Sequence, residues 1–234
     1  MVSGDHIESA RKTALQSGLI SKADLSNKDA VMHANEFKRR VGTLVQRRDP
    51  ETDEIVVEVE NKEAFRSIAD NLKVLARASS YEKHLLVVGL RSIGKNVAVT
   101  GDGINDVESM KGANVGLAMG SGCSIVRDQA DIILTNDDFK AAVKAIMWGR
   151  NVFLNISKFL QFQVTINISV LLTIFAGIIV FGESPLTPVQ LLWINLIMDT
   201  FAAIALSAEP PFPKVLKSEP FKKDTKVLSD PIWK

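Results

Sequence analysis

From Phe159 to Phe181 the chain carries no Lys, Arg, Asp or Glu. A helix needs about 20 apolar residues to cross a bilayer core of ~30 Å, and this run is long enough. A second apolar run, Val189 to Ser207, is broken by Asn195 and Asp199 and stopped by Pro210, Pro211 and Pro213. Gly182 to Pro188, between the two runs, has room only for a tight turn. Charge is dense up to about Lys158 and again after Ala208, so the chain divides into soluble, membrane and tail parts. The division expected is a soluble domain over 1–138, a stalk helix over 139–158, spans over 159–181 and 189–207, a turn over 182–188, and a tail over 208–234. Lys144, Arg150 and Lys158 precede the first span, Lys214, Lys217, Lys222, Lys223 and Lys226 follow the second, and the turn has Glu183 but no basic residue. Basic flanks mark the cytoplasmic side, so both ends are expected there, with the turn on the opposite face.

The rest of the composition excludes more than it identifies. A net charge of +1 gives no electrostatic case for a nucleic-acid partner. A single cysteine, Cys123, rules out an internal disulfide framework and suits a reducing compartment. Met1 to Arg11 has no apolar core of the kind a secretory signal needs, so insertion must rely on the later segments.

The first part of the chain alternates strand and helix patterns. Ile7, Ala10, Ala14 and Leu15 share one helical face, and Gly18 stands where it would cap that helix. Arg47 to Glu54 reads as a charged turn region, Ile55 to Val59 as a strand, and Asn61 to Asn71 as an amphipathic helix. Val74 to Arg77, Val97 to Thr100, Val115 to Met119 and Ile132 to Leu134 read as short buried strands. Helices are expected over Tyr81 to Ser92 and Asp106 to Gly112. A long helix is expected from Phe139, capped by Asp137 or Asp138. The alternation predicts an α/β unit with a mainly parallel sheet covered on both faces, in which ligands sit at the carboxyl ends of strands.

Asp102 lies at such an end, within Thr100-Gly101-Asp102-Gly103-Ile104-Asn105-Asp106. Two carboxylates and an amide leave the strand through glycines that let backbone approach an anion. A strand-end carboxylate suits Mg²⁺, which takes oxygen ligands and keeps phosphate as another. A bare Asp-Gly would be an ordinary turn; the full heptad at a strand end points to phosphate chemistry.

This heptad resembles the hinge signature of P-type ATPases, members of the haloacid-dehalogenase-like superfamily. Val2-Ser3-Gly4-Asp5 is similar to the family's Thr-Gly-Asp motif, with Ser for Thr. Leu75 to Lys83 resembles its Arg-through-Lys segment, with Tyr81-Glu82 at the usual Pro-Asp. Ala113 to Gly120 resembles Ala-Asp-Val-Gly-Ile-Ala-Met-Gly. Met147 to Arg150 and Lys158 to Gln163 resemble the stalk of plasma-membrane-type Ca²⁺ pumps, and Leu192 to Thr200 their sixth membrane helix. The likeness covers nearly the whole chain and is weakest over Thr43 to Ala64. It implies a haloacid-dehalogenase-like, Rossmann-type partial phosphorylation domain followed by a two-helix transmembrane hairpin.

By that resemblance, Asp102 would bind Mg²⁺, with Asp106 as a second candidate. Lys83 would neutralise charge on the transferring phosphoryl group, a point-charge role that suits an ammonium. Ser3, Gly4 and Asp5 would serve the phosphate of ATP, Asn105 and Asp106 would order the phosphate site, and Arg77 would lie on the nucleotide side. Val107 to Met110 departs from the family's Ala-Pro-Ala-Leu, and Gly120 to Cys123 is one residue short of the usual loop, but neither change touches a proposed ligand. The family's phosphorylated aspartate lies in Asp-Lys-Thr-Gly-Thr, and this sequence has no such motif. Met1 is therefore read as an internal methionine of a longer protein, whose remaining nucleotide-binding, actuator and membrane parts would be partners of this segment. Calmodulin is a partner that the family adds for the full protein.

In the second span, Asp199 is a carboxylate in mid-membrane, a costly placement that marks ion paths. Asn195, four residues earlier, shares its face, and carboxylate plus amide oxygen is hard-cation chemistry. Asn167 in the first span either joins them or makes an interhelical hydrogen bond. Pumps moving two Ca²⁺ ions place Glu at the Val170 position and Thr at the Met198 position; their absence resembles the single-site plasma-membrane type. The expected function is thus part of a Ca²⁺-transporting, Mg²⁺- and ATP-dependent integral membrane pump. The competing reading is a non-enzymatic membrane protein that associates with intact pumps. A free-standing phosphatase would need its own nucleophilic aspartate.

Overall fold

Strands of three to five residues alternate with helices in the first unit, and Val74–Ala76 is its most deeply buried strand. The structure is a computed structural model, and it describes residues 1–48 and 55–218. Two compact units meet between Phe139 and Lys140. In the first, helix α1 (Ile7–Gln16) is followed by β1 (Val31–His33), α2 (Ala34–Val41), β2 (Leu44–Arg48), β3 (Ile55–Val59), α3 (Lys62–Ala69) and β4 (Val74–Ala76). Then come α4 (Ser80–Ser92), β5 (Ala98–Gly101), a 3-10 turn (Ile104–Asp106), α5 (Val107–Gly112), β6 (Val115–Met119), α6 (Ser124–Gln129) and β7 (Ile132–Leu134).

Parallel pairing dominates, as the pattern predicts, but in two pieces. β1 pairs with β4, and Val2 bridges in parallel to Leu75 on the other side of β4. β5, β6 and β7 form a separate three-stranded parallel sheet in that order. β2 and β3 make an antiparallel hairpin, from Leu44 opposite Val59 to Arg48 opposite Ile55. Arg47 and Arg48 are therefore strand rather than turn; the rest of that expected turn, Asp49 to Glu54, lies outside the described residues. β4 is buried along its whole length. Leu75 packs with Met32, Phe37, Phe65 and Leu85 on one face, while Val74 and Ala76 pack with Ala10, Ala14 and Ile20 on the other. The period of two along β4 thus serves two cores at once. Phe37 and Phe65 meet edge to face at 6.0 Å. α1 ends at Gln16, and Gly18 follows in the left-handed region at φ 73°.

The second unit is built on α7 (Phe139–Phe181), one unbroken helix of 43 residues, and α8 (Pro188–Ser207). Thr187 caps α8 through a capping box with Gln190, and Pro188 takes the first helical position, where its missing N–H costs nothing. The two helices are long and apolar enough to cross a membrane, and their most apolar stretches are 6% and 0% buried. A core helix of a water-soluble protein would be covered, so these faces belong against lipid or other membrane helices. Asn155 Nδ2 donates to Leu206 O at 2.8 Å, Asn151 Nδ2 to Glu209 O at 3.1 Å, and Lys158 pairs with Glu209 at 2.7 Å. These contacts fix the antiparallel register of the hairpin.

Candidate functional site

Two strand ends carry the motif residues of the first unit. At the end of β4, the N–H of Ser3 donates to Leu75 O at 2.9 Å, that of Arg77 to Asp5 O at 3.0 Å, and that of Ala78 to Ser3 O at 3.0 Å. Ser3-Gly4-Asp5 and Arg77-Ala78 are thereby laced together although more than seventy positions apart. Ser3 Oγ also accepts from the Asp5 N–H at 3.1 Å. Arg77 has φ 57°, a left-handed conformation rare for a long side chain, so the chain turns sharply where the strand ends.

At the end of β5, Gly101 is buried against the 3-10 turn. A Cβ there would sit 2.5 Å from Asp106 Cβ and 2.9 Å from Met110 Sδ, so only glycine fits. Asp102 follows, held through its carbonyl, which accepts from the Cys123 N–H at 3.1 Å. The side chains of Asp102 and Asn105 are in exposed residues and make no hydrogen bond among the described residues. Lys83, from the first turn of α4, donates to Asp106 Oδ1 at 2.6 Å, with the two side chains 19% and 13% exposed. The structure thus unites Lys83 with Asp106 across 23 positions and leaves the neighbouring Asp102 carboxylate uncommitted.

α4 itself is anchored by a capping box: Glu82 accepts from the backbone N–H and Oγ of Ser79. Burial raises the Glu82 pKa, but the Ser79 hydrogen bonds and the charge of Lys38 outweigh it, leaving the carboxyl below its usual range. Asp137, one of the two residues expected to cap the long helix, accepts from the Ser121 N–H at 3.1 Å, which lowers its pKa.

Mg²⁺ commonly binds through one or two carboxylates and completes its shell with water and phosphate oxygens. Among the described residues, no three His, Cys, Asp or Glu side chains gather as a self-sufficient metal site. The donor set at β5 fits the first arrangement, with Asp102 as the open carboxylate.

In the second unit, Asn167 and Asn195 are exposed and Asp199 is half-buried. Asp199 Oδ1 is shielded from solvent and has no hydrogen-bond partner among the described residues. Gln163 Oε1, which the sequence reading passed over, is in the same condition. The available signal was its spacing, four residues before Asn167 on the same helix.

Two family models match the chain: haloacid dehalogenase-like hydrolase over residues 84–146, and cation transporting ATPase, C-terminus, over residues 183–234. Along its entire length the chain is 41% identical to human plasma membrane calcium-transporting ATPase 4, covering 18% of that protein. It is 42% identical to human plasma membrane calcium-transporting ATPase 3, again covering 18% of it. It is also similar to the crystal structure of a zinc-transporting PIB-type ATPase in an E2.Pi state, at 28% identity, TM-score 0.48, 67% of this chain and 24% of that one. A haloacid-dehalogenase-like α/β unit joined to a membrane hairpin of this sequence defines a segment of a P-type ATPase, and the chain belongs to that family. The relatives named above are plasma membrane calcium-transporting ATPases, and the chain spans about a fifth of their length.

Proposed function

We propose that the chain is part of an ATP-driven calcium pump in which Mg²⁺-dependent phosphoryl transfer is coupled to calcium movement across a membrane. The observation that carries this reading is the 41% identity to a calcium-transporting ATPase along the whole chain. The geometry at β5 supports it. Asp102, exposed at a strand end, would hold Mg²⁺ together with phosphate oxygens. Mg²⁺, when bound, neutralises charge that develops during phosphoryl transfer. Asp106 positions the Lys83 ammonium through their 2.6 Å contact, so the cation reaches the phosphoryl group without a search. Ser3, Gly4 and Asp5 would meet phosphate oxygens beside Arg77 on the nucleotide side, and Asn105 would order the site. Asp106 has one oxygen committed to Lys83, which makes it the lesser Mg²⁺ candidate.

In the membrane, Asp199 and Asn195 would supply oxygens to one Ca²⁺ ion, joined by Asn167. Ca²⁺ takes six to eight oxygens, so the remaining parts of the pump must contribute others. Both ends of the hairpin, and the first unit with them, would be cytoplasmic. Calmodulin would act on the full protein. Because the sequence has no Asp-Lys-Thr-Gly-Thr, the isolated chain would not turn over ATP. The second, competing reading is a non-enzymatic membrane protein that associates with intact pumps. The test is a chimera in which this chain replaces the matching segment of a calcium-transporting relative. Asp102→Asn should abolish Mg²⁺-dependent phosphorylation from ATP while calcium binding survives. Normal phosphorylation in that variant overturns the Mg²⁺ assignment, and a chimera that never transports calcium favours the second reading.

A further inference from the structure

Among the described residues, three shielded side-chain oxygens in the hairpin have no hydrogen-bond partner: Asn155 Oδ1 on α7, in a side chain already held to Leu206 through its amide nitrogen, and Gln163 Oε1 and Asp199 Oδ1, which belong to opposite helices. Register shows that the last two lie at one depth. Asn155 of α7 reaches Leu206 of α8, and Gly177 near the other end approaches Pro185, where an added Cβ would fall 2.5 Å from the proline ring. Eight residues along α7 from Asn155 is Gln163; seven or eight back along α8 from Leu206 are Asp199 and Met198. Gln163 and Asp199 therefore occupy the same tier, and Asn167 and Asn195 the next tier toward the turn, about 6 Å further on.

With Gln163 oriented as it is, the shielded atoms of this tier are one-sided. Gln163 Oε1 and Asp199 Oδ1 are both acceptors, both shielded, and both without a hydrogen-bond partner. Neither side chain hydrogen-bonds the other among the described residues. Two acceptors cannot satisfy each other, and a shielded unpaired acceptor costs about 1–3 kcal/mol. A hard cation satisfies both at once.

We propose that Gln163 is an oxygen donor to the transported divalent cation, sharing with Asp199 a tier on the cytoplasmic side of Asn167 and Asn195. The inference rests on the calcium reading above and adds a ligand from α7 to it. An amide oxygen serves well there. It contributes a lone pair to the cation without adding a second full charge at that depth.

The test uses the same chimeric pump, with phosphorylation by inorganic phosphate in the absence of calcium as the check on folding. Gln163→Leu, close in size but without oxygen, should raise the calcium concentration for half-maximal phosphorylation from ATP by about 10- to 100-fold. Gln163→Glu restores an oxygen and adds a titratable group, so calcium affinity should become more pH-dependent than in the parent pump. If Asp199→Asn leaves calcium transport normal, the calcium reading itself falls. If Asp199→Asn abolishes transport and Gln163→Leu keeps the parent's calcium dependence, this inference alone is overturned. Where Gln163→Leu does not fold, Gln163→Glu decides: added pH dependence supports the ligand, and a parent-like pH profile refutes it.

Discussion

Replacing Gly101 by alanine tests whether the strand end is built to hold Asp106 against Lys83. The new Cβ would lie 2.5 Å from Asp106 Cβ and 2.9 Å from Met110 Sδ, against ordinary carbon contacts of 3.4–4 Å. Asp106 must retreat by about 1 Å, which stretches the 2.6 Å contact to Lys83 beyond hydrogen-bonding distance. Overpacking of this kind costs about 1–3 kcal/mol. Loss of a charge-assisted hydrogen bond adds about 1.5–3 kcal/mol, and the pair is buried enough, at 19% and 13% exposed, for most of that to count. Side-chain relaxation recovers part of the sum, so about 3 kcal/mol is expected, or a fall in Tm of roughly 10 °C for a unit of this size. The assay is thermal unfolding of the first unit, followed by far-UV circular dichroism on the whole chain in micelles. Gly103→Ala is the internal control, because a Cβ there meets nothing within 4 Å and its φ of −116° suits any residue. Equal Tm values for the two variants would refute the reasoning.

Glu82→Gln should remove an acid-side stability component. The folded pKa of Glu82 is lowered, so its contribution is fully present above the ordinary glutamate range of ~4.3 and lost as pH falls through the folded value. The variant should lose about 1 kcal/mol near neutrality from the weakened cap and converge on the parent in urea titrations at acid pH; a constant gap at all pH values contradicts this. In a Cys123→Ser background, Ser184→Cys should react with an impermeant thiol reagent only from the non-cytoplasmic face, and labelling from the cytoplasm alone overturns the topology. Purified chain given γ-³²P-labelled ATP should form no acid-stable phosphoprotein. A phosphorylated aspartate in it would remove the case for an incomplete site.

Much of the α/β unit was legible because β4 and β6 are largely buried apolar runs and β5 leads into glycine. Val74 to Ala76 and Val115 to Met119 stand out as apolar runs between charged segments. β1 was missed because three residues ending in His33 give no periodicity, and His33 serves as the cap of α2. The signal for α2 was present in Ala34, Phe37 and Val41, all fully buried, but basic residues between them masked it. At the site, glycines and acids mark where phosphate chemistry belongs, since backbone geometry demands them locally. The pairing of Lys83 with Asp106 depends on how α4 packs near the 3-10 turn, which no local pattern encodes. Gln163 escaped notice because a glutamine in an apolar span reads like any polar residue until its oxygen is found shielded and without a partner among the described residues.

α7 runs for 43 residues without a proline, about 65 Å from end to end. An unbroken helix of that length is a strut: it has no internal joint at which an imposed tilt can be absorbed. From Phe139 to Gln163 the arm is about 36 Å, so a tilt of roughly 2° about Phe139 carries Gln163 sideways by more than 1 Å. Cation coordination tolerates far less, since ligand distances hold to about ±0.2 Å. For a cation held at Gln163 as proposed above, a tilt of that size at the start of α7 would therefore be enough to open or close the coordination shell.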